Sequence, residues 1–143
     1  MKFEGIYTPV VTPYNDDFSI NEPVLESVIE YLIASGVHGL IFAGTTGEYY
    51  AQSTEERLYL LGRFKAIING RVPLIVGTGA IRTEDSVMYA EAAAKAGADA
   101  LLVATPPYAV PTDRENALHA LAIDRAANLP IMLYNYPGRM GVN

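Results

Sequence analysis

The sequence predicts an α/β fold of parallel strands covered by helices, and within that class it favours the (β/α)8 barrel. Three observations lead there. Short apolar runs rich in β-branched residues recur at residues 6–11, 39–43, 73–76, 100–104 and 130–134. Segments of helical periodicity separate them, so a strand arrives roughly every 30 residues, the rhythm of right-handed parallel βαβ units. Finally, Ser35-Gly-Val-His-Gly-Leu-Ile-Phe-Ala43 aligns without gaps on Ala96-Gly-Ala-Asp-Ala-Leu-Leu-Val-Ala104, two βα units later. Repeated barrel modules give such an echo. Any two helix-glycine-strand junctions also look alike, so a doubly wound sheet stays open at this point.

Each element has its own warrant. The first strand runs into Thr8-Pro9-Val10-Val11-Thr12-Pro13, where prolines interrupt the ladder, and a mainly structural role is expected. The first helix starts at Asn21, ahead of Glu22-Pro23, places Val24, Leu25, Val28, Ile29 and Leu32 on one stripe, and stops at Gly36. The second starts at Ser53 with Glu56 three residues on, the spacing of a capping box. Its stripe is Leu60, Leu61, Phe64, Ile67 and Ile68, and Gly70 ends it. Thr83 before Glu84-Asp85 marks the third helix start and Gly97 its stop, while Thr112 with Glu115 opens the fourth and Asn128 closes it. All five strands are expected to be buried on both faces.

Composition narrows the function. With 143 residues, half of them hydrophobic, the chain is long enough for a real core. The net charge of −6, with Lys and Arg scattered, argues against nucleic acid or an anionic membrane as partner. There is no cysteine, and His38 and His119 lie far apart, so neither a metal nor a cofactor is expected. The opening Met1-Lys2-Phe3-Glu4-Gly5 has no signal-peptide pattern and no stretch reaches the length of a membrane span, which points to the cytoplasm. No linker divides residues 1–143, which read as a single domain or a piece of one.

In parallel α/β folds function gathers at the carboxyl ends of the strands. The second strand ends in Gly44-Thr45-Thr46-Gly47-Glu48, whose backbone N–H groups and two hydroxyls suit a small carboxylate or a phosphate, or else form a polar turn whose threonines cap their own backbone. The fourth ends in Thr105-Pro106-Pro107-Tyr108, in which two rigid prolines aim a tyrosine across a barrel mouth, into a neighbouring subunit, or simply against the loop. The fifth ends in Tyr134-Asn135-Tyr136-Pro137-Gly138-Arg139: a phenol able to relay protons, unless it is a core residue, and a guanidinium a short loop away that can grip a carboxylate. Tyr49 and Tyr50 either line the same pocket or pack on the second helix.

Taken in this order, the three strand-end motifs and the opening Gly5-Ile6-Tyr7-Thr8-Pro9 resemble the pyruvate-dependent lyases of the dihydrodipicolinate synthase and N-acetylneuraminate lyase family, along the whole chain. The resemblance implies a TIM barrel of which this chain covers about the first half, from the first strand to the fifth. It implies that Thr45 and Thr46 bind the carboxylate of pyruvate or another 2-oxo acid, and that Thr45, Tyr108 and Tyr134 form a proton relay. Tyr108 would reach into a partner subunit of a homo-oligomer, and Arg139 would hold the second substrate, an aldehyde, at the entrance. The Schiff-base lysine of the family sits on the sixth strand. The lysines here, Lys2, Lys65 and Lys95, occupy no strand end.

Two expectations follow. A barrel needs about 250 residues, so residues 1–143 read as an N-terminal half-barrel, apparently truncated after its fifth strand, inactive alone and prone to self-associate. Arg139 after Gly138 and the Thr45-Thr46 pair fit the synthase pattern, whereas Tyr49-Tyr50 and Met140 depart from it, which leaves a sugar-acid aldolase or dehydratase open. A non-catalytic half-barrel and an unrelated barrel with a phosphate-binding turn are the other readings.

Overall fold

The computed structural model describes residues 2–142. Five strands, β1 (Tyr7–Pro9), β2 (Gly39–Phe42), β3 (Leu74–Gly77), β4 (Ala100–Ala104) and β5 (Ile131–Tyr134), form one parallel sheet in the order β1-β2-β3-β4-β5. Between them lie α1 (Glu22–Ala34), α2 (Thr54–Ile68), α3 (Thr83–Lys95) and α4 (Asp113–Ala127); a single turn, α5 (Pro137–Met140), follows β5. Strand order equals chain order, without the reversal that defines a doubly wound sheet.

The core confirms that choice. Leu40 and Phe42 of β2, Leu74 and Val76 of β3, and Leu101 and Val103 of β4 all join one cluster with Leu25 and Ile29 of α1, Leu60 and Phe64 of α2, Ala90 of α3 and Ile123 of α4. The alternate residues Ile41, Ile75 and Ala100 form a second, small cluster flanked by Tyr7, Leu102 and Met132. Helices therefore cover one face only, and the other face is the inner lining of a half-barrel.

The internal echo is three-dimensional as well. Gly36 and Gly97 end their helices at φ of 81° and 76°. Two residues after each, His38 Nδ1 accepts from Ile6 N and Asp99 Oδ2 accepts from Leu74 N, so corresponding side chains tie down the start of the preceding strand.

Four local readings are corrected. The expected burial of all strands on both faces holds for β2 and β3, but β1 and β5 are only half-buried, and Leu133 is 68% exposed, because an edge strand has a neighbour on one side only. β1 is shorter than expected, since only Tyr7–Pro9 keep register with β2. Arg82, not Thr83, caps α3 in an extended conformation; the Thr83 hydroxyl instead pairs with His119 Nδ1 at 2.9 Å. Arg139 lies on the helical turn α5 rather than on a loop. The caps at Asn21, Ser53 and Thr112 are as read, the latter two as complete capping boxes.

Candidate functional site

The polypeptide leaving β2 turns sharply. Ala43 adopts φ 55°, and its carbonyl oxygen comes so close to Gly77 that a Cβ there would sit 2.1 Å from it. Only glycine admits this approach. It directs Thr45–Gly47, one 3-10 turn ended by Glu48 at φ 55°, over the carboxyl ends of the strands, and a second 3-10 turn, Tyr49–Ala51, follows.

The turn is braced from below. Thr12 Oγ1 donates to Gly47 O at 2.8 Å and Gln52 Nε2 to the same oxygen at 2.9 Å, with Gln52 also reaching Thr12 Oγ1 and the Tyr14 hydroxyl. Thr12 is 5% exposed, so these bonds are made away from water, where an unpaired carbonyl is costly. The proline-broken end of the first strand thus serves as a strut.

Above the inner face of the sheet lies a cavity of about 220 Å3, partly open to solvent, whose lining includes Thr45, Thr46, Tyr49, Gly79, Met132 and Tyr134. Three of the five residues singled out from sequence, Thr45, Thr46 and Tyr134, therefore meet. The other two do not enter. Tyr108 is 93% exposed at φ 71°, at the tip of the loop after β4. Arg139 points along the surface, its guanidinium 5.6 Å from the Tyr136 ring, and Tyr136 in turn stands edge-on to Tyr134.

Sequence reasoning left Tyr49 undecided and missed Arg57. Tyr49 is buried and lines the cavity, its ring lying so close to Gly79 that a Cβ there would clash with it; Tyr50 points outward. Burial pushes the Tyr49 phenol above its ordinary pKa, with the nearby Arg57 charge acting in the opposite direction. Arg57, on α2, is 4% exposed: Nη1 donates to Gly79 O at 2.9 Å, Nη2 to Gly77 O at 3.0 Å, and the guanidinium stacks 3.5 Å from the Tyr89 ring and 5.2 Å from that of Tyr49. In the sequence Arg57 follows two glutamates in an ordinary helix start, so its burial is visible only once α2 is laid on the sheet. His119 is buried beside a second cavity between α4 and β5, and burial lowers its pKa.

The lysines stand apart. Lys65 Nζ donates to Gly97 O just past the end of α3, Lys2 is exposed, and Lys95 closes α3; none lines either cavity. Among the described residues no group of three or more His, Cys, Asp or Glu side chains could hold a metal ion, and no helix is long and apolar enough to cross a membrane.

Residues 2–143 match the model of the dihydrodipicolinate synthetase family. The 4-hydroxy-tetrahydrodipicolinate synthase of Bacillus subtilis (strain 168) is 40% identical over 139 residues, 97% of this chain and 48% of the relative. A dihydrodipicolinate synthase from Acinetobacter baumannii, chloride-inhibited and complexed with pyruvate, superposes with a TM-score of 0.95 at 37% identity, over 99% of this chain and 49% of the other. A prophage protein of the dihydrodipicolinic acid synthase family from E. coli K12, also complexed with pyruvate, gives a TM-score of 0.95 at 31% identity, over 99% of this chain and 47% of the other. The chain spans about half the length of the curated relatives it matches.

Proposed function

The chain belongs to the dihydrodipicolinate synthetase family, and from that premise we propose that it supplies the carboxylate-binding and proton-relay half of a pyruvate-dependent Schiff-base lyase of the class I aldolase type. The observation that carries the proposal is the meeting of Thr45, Thr46 and Tyr134, from the ends of two different strands, around one cavity at the carboxyl edge of a half-barrel.

In this reading residues 1–143 are the N-terminal half of a (β/α)8 barrel, and the Thr45-Thr46 turn holds the carboxylate of a 2-oxo acid. A lysine amine adds to the ketone carbon, a proton is delivered to the departing hydroxyl, and water leaves as the imine forms. Tyr134, at the tip of β5, hands over that proton in this reading, with Thr45, which lines the same cavity, as its relay partner. The imine then withdraws electrons from the neighbouring carbon, which loses a proton and attacks an aldehyde. No lysine of this chain lines the cavity, so the amine is taken to come from outside these 143 residues, and the chain alone is inactive.

Tyr108 and Arg139 complete the proposal outside the cavity. The full exposure of Tyr108 on a proline-stiffened loop suits a phenol that completes the relay in a partner subunit of a homo-oligomer. Arg139, one helical turn beyond β5, suits the carboxylate of an incoming aldehyde at the entrance. A cytoplasmic, metal-free setting without a cofactor accords with this chemistry, which needs only an amine.

Incubating the chain with pyruvate, then borohydride, and recording its intact mass tests the reading alongside ligand-observed NMR. The expected result is saturable pyruvate binding without a covalent adduct. A reduced adduct on Lys2, Lys65 or Lys95 would refute the placement of the amine elsewhere, and protection of the fold by phosphate but not by pyruvate would favour a phosphate-binding turn.

A further inference from the structure

We infer that Arg57 is a positioning residue whose buried, unneutralised charge makes the cavity select an anionic ligand over a neutral one of the same shape. This rests on the 2-oxo acid reading above and goes beyond it, because Arg57 reaches no ligand itself.

The cavity presents an electrostatic puzzle. None of its lining residues carries a charged side chain, and the chain as a whole has a net charge of −6, a field that opposes anions. A turn of backbone N–H groups helps, but a single 3-10 turn is a weak dipole.

Arg57 supplies what the lining lacks. A guanidinium stays protonated in proteins, and here it is removed from water with no carboxylate in ion-pair contact among the described residues. Its partners are two carbonyl oxygens and two aromatic faces, which carry only partial charge. Its Nε is buried without a hydrogen-bond partner among the described residues. A buried cation left without a counter-ion is an expensive arrangement, and one that a purely structural bracket would not require.

The position of the charge explains the arrangement. Three of its contacts, the Tyr49 ring, Gly77 O and Gly79 O, belong to residues that line the cavity, so the guanidinium sits one layer behind the wall. An aromatic ring rather than water fills part of that layer, so the charge is felt through a poorly screening medium. The same contacts fix the start of the loop between β3 and α3 and the tilt of Tyr49. Arg57 thus sets the shape of the wall and its sign at once.

The test compares pyruvate with pyruvamide, a neutral ligand of nearly the same shape, by titration of the 143-residue chain under NMR. Wild type is expected to prefer pyruvate. Arg57→Gln is expected to lower that preference about fivefold, on top of any loss that both ligands share through the altered wall, and Arg57→Lys to keep the preference despite weaker binding of both. Equal weakening of both ligands in Arg57→Gln, or loss of the preference in Arg57→Lys, would mean a merely structural role and overturn the inference. Salt gives a reading that needs no variant: a preference set by a buried charge survives a rise from about 50 to about 500 mM NaCl, whereas one set by surface charge collapses and refutes it. If wild type binds neither ligand, the 2-oxo acid reading itself falls; if it binds pyruvate and Arg57→Gln keeps the preference, only the role of Arg57 falls.

Discussion

The loops after β2 and β4 carry candidate residues at the same edge of the sheet, yet they are held in opposite ways. The Thr45–Gly47 turn is fastened by a bare glycine on the next strand, by two hydrogen bonds to Gly47 O and by the Arg57 bracket behind Tyr49. The loop ending in Tyr108 rests on Pro106 and Pro107 and on positive φ at Tyr108 and Val110, with its tip in solvent. A loop that shapes a site within its own chain needs buried polar support. The Tyr108 loop, which stays outside the cavity, relies on stiffness instead, because proline removes the freedom that hydrogen bonds would otherwise have to restrict.

The largest effect should come from the glycine. In Gly77→Ala the new methyl meets the Ala43 backbone, which cannot swing away as a side chain could, and a loss of about 3 kcal/mol or more is expected in urea unfolding. A loss under about 1 kcal/mol would show that the first turn does not depend on this close approach.

Next comes the strut. Thr12→Val keeps the shape but removes the donor to Gly47 O and an acceptor for Gln52, and should destabilise the chain by about 1–3 kcal/mol while weakening pyruvate binding. Unchanged binding would uncouple the brace from the site.

The smallest effect belongs to the second loop. Tyr108→Ala should alter stability by less than about 0.5 kcal/mol, since the side chain is almost wholly exposed, while weakening self-association measured by sedimentation velocity. A large stability loss would erase the contrast between the loops.

The same contrast governs what the sequence disclosed. Strands, helix stripes and capping boxes were legible because each depends on residues a few positions apart, as Ser53 with Glu56 does. That Thr45, Thr46 and Tyr134 meet at one cavity is legible because strand ends in a parallel fold share one edge. Thr83 was misassigned because its hydroxyl found a partner in His119, far along the chain, and so left the cap to backbone geometry. The half-exposed edge strands and the buried Arg57 were hidden for a related reason: burial is a property of what packs against a residue. Apolar composition in β5 and charge in an α2 helix start say nothing of their neighbours.

The equality of strand order and chain order bears on how the molecule comes into being. Tyr7 pairs with Gly39, Leu40 with Leu74, Ile75 with Ala100 and Leu101 with Ile131, so every strand finds its partner in the segment made just before it. A chain emerging from the ribosome can add one βα unit at a time to a growing sheet, always with a short loop to close and never waiting for a distant complement. At each step the newest strand is the open side of the sheet; among the described residues the strand latest in the chain is β5, where Leu133 is 68% exposed.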